Sequence, residues 1–274
     1  MADNRAVGKD ILFSAKALEV ALPDMAAKPV FGRAPLIPIL NGIDIDITRG
    51  SVLGIVGGSG SGKSTLGRAL LRLIEPTAGT ILFDGRDITH LNEDALRPIR
   101  RRMQMIFQDP MSSLNPRRRV GAIIADPMQI HGFDRIDGRI DDALDHVGLP
   151  RGFKSRYPHE LSGGQRQRVG IARAIALKPE FILADEIVSG LDVSSQAQVL
   201  NVLGDLVKEL GLTLAFISHD LSVIRRLCNK VMVLQRGNIV EYGDADQLFD
   251  APKAAYTREL LDAIPLPDPE QANW

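Results

Sequence analysis

Apolar and polar residues alternate from Ile11 to Leu22, the two-residue period of a strand. Pro23 to Pro38 carries prolines at 23, 29, 35 and 38 and reads as a long loop. Ile43, Ile45 and Ile47 then alternate with Asp44, Asp46 and Thr48, a strand with one wet face. After the Arg49-Gly50 turn, Val52-Leu53-Gly54-Ile55-Val56 is apolar throughout, as a central parallel strand should be. Further strands are predicted at Ile81–Phe83, Met105–Phe107, Phe181–Ala184, Leu214–Ile217, Val231–Leu234 and Ile239–Tyr242. Helical periodicity marks Ser64–Ile74, Ile136–Val147, Gly163–Leu177, Ser194–Leu210 and Leu221–Leu227.

Strands that alternate with helices in the second half imply βαβ units and a mainly parallel sheet. The early isoleucine strands suit an antiparallel layer. Residues from about 110 to 178 hold helices and no convincing strand, so a helical insertion is expected there. The tail after about 245 reads as a separate short element ending in Pro265, Pro267 and Pro269. The fold class is therefore α/β: a parallel-sheet core, an antiparallel β layer and a helical subdomain.

The 274 residues are 45% hydrophobic and 24% charged, a globular balance with ample core. The net charge of −1 lacks the positive surplus of a nucleic-acid binder, so no nucleic acid is expected as partner. Two arginine runs, Arg100–Arg102 and Arg117–Arg119, read as solvated faces or as contacts for an acidic partner or membrane headgroups. The single cysteine, Cys228, excludes an internal disulfide and a four-cysteine metal site; its apolar helical setting predicts a buried thiol. No apolar run approaches the roughly 18 residues of a spanning helix, and the first residues lack an apolar signal core. The chain is expected in the cytoplasm, with any membrane part supplied by other chains.

Gly57-Gly58-Ser59-Gly60-Ser61-Gly62-Lys63-Ser64-Thr65 matches the phosphate-loop pattern, after an apolar strand and at the opening of a helix. Glycines let backbone N–H groups wrap anionic oxygens, and the helix start adds partial positive charge. Lys63 can bridge the β- and γ-phosphates of a bound nucleotide, Ser64 can ligate Mg²⁺, and Thr65 can reach an inner phosphate. Phe181–Ala184 runs into Asp185 and Glu186, two acids sent to opposite faces. One can sit near Mg²⁺ and the other near the attacking water. In Leu161-Ser162-Gly163-Gly164-Gln165, Ser162 is a good N-cap and the glycines expose N–H groups, a second anion-binding helix start.

With these motifs in order, the chain resembles the ATP-binding-cassette (ABC) ATPases over nearly its whole length. Leu161–Gln165 matches their signature motif, Gln108 their Q-loop glutamine, His219 their switch histidine, and Ser189-Gly190-Leu191-Asp192 the loop after the second Walker motif. The resemblance implies a P-loop NTPase of ABC type with a RecA-like core, spanning 1–245, with the helical subdomain at about 110–178 and a C-terminal extension at 246–274. It implies head-to-tail pairs sandwiching two ATP molecules. Lys63, Ser64, Gln108, Asp185, Glu186 and His219 of one domain would face Ser162, Gly163 and Gly164 of the other. Glu186 would activate water, His219 would hold Glu186 and the γ-phosphate in register, and Gln108 would sense Mg²⁺ beside Ser64 and Asp185.

Arg97–Pro110, Ser112–Arg117 and Tyr157–Glu160 look like the ATPase subunits of bacterial dipeptide, oligopeptide and nickel importers; so does the tail Tyr256–Leu261 with Ile264-Pro265. Without a cysteine cluster, the chain is most similar to the oligopeptide partner subunit that has no iron–sulfur site. This implies membrane permeases as partners, a second ATPase chain (a related one or itself), and a solute-binding protein acting indirectly, at the cytoplasmic face of the inner membrane. Peptides are the solute the resemblance favours; nickel, an opine or another small solute is the alternative, and a soluble cassette acting on nucleic acid or ribosomes a remote one. Three positions depart from the group. Ile187 stands where a proline is usual, Leu22 where an aromatic would stack on adenine (Phe31 is a weak substitute), and Gly58 where an acid is common.

Overall fold

The computed structural model describes residues 10–29 and 32–263. Two sheets form, from the strands that the periodicity marks and one short strand, Arg86–Asp87, that it does not. The first is antiparallel, in the order β2-β1-β4-β5, from β1 (Ile11–Pro23), β2 (Leu36–Thr48), β4 (Ala78–Phe83) and β5 (Arg86–Asp87). The second has six strands in the order β10-β9-β3-β8-β7-β6. These are β3 (Val52–Val56), β6 (Met103–Ile106), β7 (Phe181–Asp185), β8 (Thr213–Ile217), β9 (Lys230–Gln235) and β10 (Asn238–Asp244). All its pairings are parallel except β9 with β10. This is the α/β fold of a P-loop NTPase.

Strand alternation divides the core. Leu53 and Ile55 of β3 join a cluster under the antiparallel sheet, while Val52 and Val56 join a second cluster on the opposite face. The first cluster includes α1 (Lys63–Leu70) and the aromatic trio Phe13, Phe83 and Phe181, with ring centroids 4.8 and 4.6 Å apart. Each fully buried phenylalanine contributes about 1.5–3 kcal/mol. Between β6 and β7 lie α3 (Pro110–Ser113), α4 (Val120–Ile130), α5 (Ile136–His146) and α6 (Gly163–Ile175), and the last three contribute to the second cluster. It also takes α7 (Val193–Leu210) and α8 (Leu221–Leu227). Gly54 lets α8 approach β3: a Cβ there would lie 2.7 Å from Ile224 Cγ2 and 3.1 Å from Cys228 Sγ. Cys228 is buried as predicted, and burial pushes its thiol up.

Several boundaries differ from the sequence expectations. The proline-rich loop ends earlier, because Leu36, Ile37 and Pro38 already belong to β2. That strand is a sheet edge, where a missing N–H costs no ladder bond. The first helix stops at Leu70, not Ile74: Arg72, 8% exposed, turns to φ +53° and its guanidinium donates to the Ile88 carbonyl at 3.0 Å. β6 spans Met103–Ile106, and Phe107 turns outward, 42% exposed. The helix α2 (Glu93–Arg100) carries Pro98 inside it, which hid it from the periodicity; Asn92 caps it by accepting from Ala95 N–H at 3.0 Å. The tail folds into α9 (Ala245–Asp250) and α10 (Ala255–Asp262). Pro265, Pro267 and Pro269 lie outside the described residues, as does Phe31.

A charged network joins the two sheets away from the site. Glu180, before β7, accepts from Arg49 and from Arg102 Nε at 2.5 Å; Asp84 of the antiparallel layer accepts from Arg49 at 2.6 Å and Arg102 at 2.5 Å. The Arg102 hydrogen bond leads the interactions that hold both carboxyls below their ordinary values.

Candidate active site

Parallel strands point their C-terminal ends the same way, and four of them deliver the predicted residues to one cleft. β3 runs into the loop Gly57–Gly62, which enters α1 at Lys63. β7 ends on Asp185, with Glu186 next. His219 follows β8 by two residues and Gln108 follows β6 by two. The cleft, about 420 Å³, is lined by Ser59–Thr65, Glu186 and His219.

The loop needs its first and last glycines for different reasons. A Cβ on Gly57 would lie 2.2 Å from the Leu234 carbonyl oxygen. Gly62, the residue before α1, adopts φ +103°, which L side chains rarely reach. Inside the loop Lys63 folds back, its Nζ donating to the Gly57 carbonyl at 2.8 Å and the Gly58 carbonyl at 3.0 Å. Burial pulls the Lys63 ammonium below the ordinary lysine value, partly offset by Glu186 and then Asp185. The loop thus holds a partly desolvated cation that an anionic ligand would satisfy. The Ser61 hydroxyl, 4% exposed, has no hydrogen-bond partner among the described residues.

Ser64 Oγ donates to Asp185 Oδ1 at 2.9 Å, and Arg68 lies 3.8 Å from Asp185 Oδ2. Asp185 is 3% exposed, and burial pushes its carboxyl up despite the Ser64 bond. An adjacent cation would offset that cost. No group of three His, Cys, Asp or Glu side chains gathers as a metal cage among the described residues. A cation here would therefore draw on the hard oxygens of Ser64, Asp185 and Gln108 together with phosphate and water, the habit of Mg²⁺. The donor set fits that ion.

Glu186 sits at φ +50°, its N–H donating to the Ile217 carbonyl at 2.9 Å. Gln108 Nε2 donates to Glu186 Oε2 at 3.2 Å, and His219 Nδ1 lies 3.7 Å from the same oxygen. A carboxylate held between an amide and an imidazole is placed to orient water. Ile187, 1% exposed, packs into the core where the resemblance expects proline.

The Ser162–Gln165 segment stands apart and does not line this cleft. Ser162 and Gln165 form a reciprocal cap at the start of α6, with Gln165 N–H donating to Ser162 Oγ at 3.3 Å and Ser162 N–H to Gln165 Oε1 at 3.0 Å. Gly164 fits against α7, since a Cβ there would lie 2.9 Å from Ser195 Cβ. Leu22, the last residue but one of β1, is half-buried and supplies no aromatic ring. Sequence reasoning missed Arg68, which the helical period places one turn after Ser64. It also gave Tyr256 no part in the site. Its hydroxyl accepts from Gly58 N–H at 2.9 Å, across 198 positions of sequence and with no local signal.

A phosphate cradle, an acid pair at a strand end and this sheet order define a P-loop nucleoside-triphosphatase. The chain belongs to the ABC transporter family, whose model matches residues 40–189. It is an ATP-binding cassette with ATPase function. A Brucella ovis ATP-binding protein named for peptide import is 52% identical over 247 residues, 89% of this chain and 78% of that one. The oligopeptide transport ATP-binding protein OppF of Bacillus subtilis is 48% identical over 239 residues, 85% of this chain and 78% of that one. The solved structure of cbiO1 from Clostridium perfringens, part of the ABC transporter complex cbiONQ, superposes with a TM-score of 0.76. It is 28% identical and covers 88% of this chain and 92% of its own. A dimeric cassette bound to ADP and Pi gives 0.73 at 28% identity, covering 85% and 98%.

Proposed function

We propose that the chain is the ATP-hydrolysing subunit of an importer for peptides, seated on membrane permeases at the cytoplasmic face of the inner membrane. One observation carries the catalytic part: Glu186 is held between Gln108 and His219 beside the phosphate loop. Identity near 50% to chains named for peptide or oligopeptide transport supports the solute class. The ATPase domain spans 1–245 with its helical subdomain at about 110–178, and 246–274 is an extension. The separation of Ser162–Gln165 from the cleft supports a second cassette, this chain or a related one, donating that segment across a head-to-tail pair. A solute-binding protein would act through the permeases.

ATP would lie with its phosphates in the loop Gly57–Thr65, displacing the carbonyls of Gly57 and Gly58 from Lys63. Ser64, Asp185 and Gln108 would hold Mg²⁺, which neutralises phosphate charge when bound. Glu186 accepts a proton from the attacking water; His219 holds Glu186 and the γ-phosphate in register; Ser162, Gly163 and Gly164 from the opposite chain close the site. Positioning and charge stabilisation then supply most of the rate. Gln108, at the end of β6, links the site to the surface where a permease would dock.

The test is uptake of labelled dipeptides, longer peptides and nickel ions in cells lacking the chain, complemented with wild type or Glu186→Gln. Peptide uptake restored by wild type alone is the expected result. The purified variant should bind ATP while turnover falls about 10²–10⁴-fold. Near-normal turnover would remove Glu186 from its role, and nickel-only dependence would remove the peptide assignment.

A further inference from the structure

The peptide unit between Gly57 and Gly58 is held at both ends. Its oxygen accepts from Lys63 Nζ at 2.8 Å, and its N–H donates to the Tyr256 hydroxyl at 2.9 Å. Hydrogen bonds in such a chain polarise one another. Two tethers reach the loop backbone from the C-terminal part of the chain: this one, and Gly237 N–H donating to the Ser61 carbonyl at 3.0 Å. The Tyr256 tether comes from α10, which is itself anchored. Glu241 of β10 accepts from Lys253 N–H at 2.9 Å and Ala254 N–H at 3.0 Å, at the start of α10. Tyr256, Leu260 and Leu261 pack against the core. Leu260 and Ala263 also wall a cavity of about 500 Å³ shared with Val56, Gly57 and the His219–Ser222 segment. Gly58 matches this contact in shape, because a Cβ there would lie 3.0 Å from the Tyr256 hydroxyl.

We propose that Tyr256 is a positioning residue for nucleotide binding: α10 fixes the start of the phosphate loop through the Tyr256 hydroxyl, and so sets the affinity for ATP. The Gly58 N–H needs an acceptor in any case, and Tyr256 supplies one at 2.9 Å. With that hydroxyl gone the 57–58 peptide can rotate, and the loop spends less time in the shape that receives phosphates. A partner that lifts α10 would weaken ATP binding by the same route.

This rests on the ATP-binding reading and is tested by titrating the purified full chain with a fluorescent ATP analogue, for wild type, Tyr256→Phe, Glu241→Ala and the double variant. Steady-state ATPase and thermal melting accompany each titration. Tyr256→Phe removes one oxygen, and a hydrogen bond of ordinary net worth corresponds to a two- to tenfold rise in Kd. The expected result is that rise in Kd and in KM for ATP, with kcat and the melting midpoint near wild type. Glu241→Ala should raise Kd similarly, and the double variant no further than the larger single effect. Wild-type affinity in Tyr256→Phe overturns the proposal. Effects that multiply in the double variant overturn the role of α10. A wild-type chain that does not bind the analogue would sink the nucleotide site itself, a distinct failure.

Discussion

Replacing Glu180 with glutamine keeps its shape and removes its charge. Glu180 accepts from Arg49 and twice from Arg102, at 2.5 and 3.0 Å to the latter. Side-chain exposures of 31%, 37% and 34% for Arg49, Arg102 and Glu180 leave the network partly in water. Charge-assisted bonds contribute about 1.5–3 kcal/mol each when well shielded, and exposed pairs about 0.2–1 kcal/mol. Screening and the retained bonds to Asp84 bring the expected loss to roughly 1–2 kcal/mol, or about 2–8 °C in the melting midpoint. The pH dependence has a definite sign. Hydrogen bonding to Arg102, followed by Arg49, outweighs burial and holds the Glu180 carboxyl below its ordinary 4.5. A depressed carboxyl stabilises the fold above its unfolded value, and that stabilisation fades as pH falls through the folded value. Melting curves of wild type and Glu180→Gln should therefore differ at pH 7, and converge only as pH falls through the depressed folded value of the carboxyl. Raised salt should narrow the gap at pH 7. Equal midpoints at pH 7, or a gap that persists unchanged in acid, would refute the electrostatic account.

Two further substitutions separate binding from turnover. Lys63→Met removes a cation whose burial is unfavourable without a ligand, so nucleotide titration should show affinity lost by more than about tenfold, while the melting midpoint without ATP holds or rises. A large fall in that midpoint would show that the lysine serves the fold instead. Gly164→Val pushes a side chain into Ser195, which a Cβ would meet at 2.9 Å. Because residues 162–165 lie outside the cleft, kcat should fall while the Kd for ATP stays near wild type. A matched loss of both would place the defect in the fold of α6.

How much of this was legible in the sequence depends on how local each cause is. Val52–Val56 and Phe181–Asp185 were readable because a buried strand must be apolar on both faces, and both emerge fully buried. The phosphate loop was readable because Gly57 and Gly62 answer to local backbone needs, a carbonyl too close for any Cβ and a positive φ. The end of α1 was not, because the apolar run Leu70 to Ile74 continues past Arg72. A carbonyl 16 positions away captures that arginine's guanidinium and stops the helix. In α2, Pro98 is a true breaker signal outweighed by the Asn92 cap and by burial of Leu96 and Ile99.

The same distinction runs through the site. Asp185 and Glu186 could be given different duties from strand alternation alone, yet the meeting of Gln108 and Glu186 joins residues 78 positions apart and rests on the order β8-β7-β6. Family resemblance assigned both residues to the nucleotide, where periodicity could not, and their direct hydrogen bond comes from the fold alone. Tyr256 is the limiting case. Its residue type and position were visible as part of a tail, but its hydroxyl acquires a partner only because β10 returns beside β9 and hands α10 to the loop through Glu241. A contact made by tertiary geometry alone leaves no period, cap or spacing in the chain. The residues that tune a recognisable motif are for that reason harder to read from sequence than the motif itself.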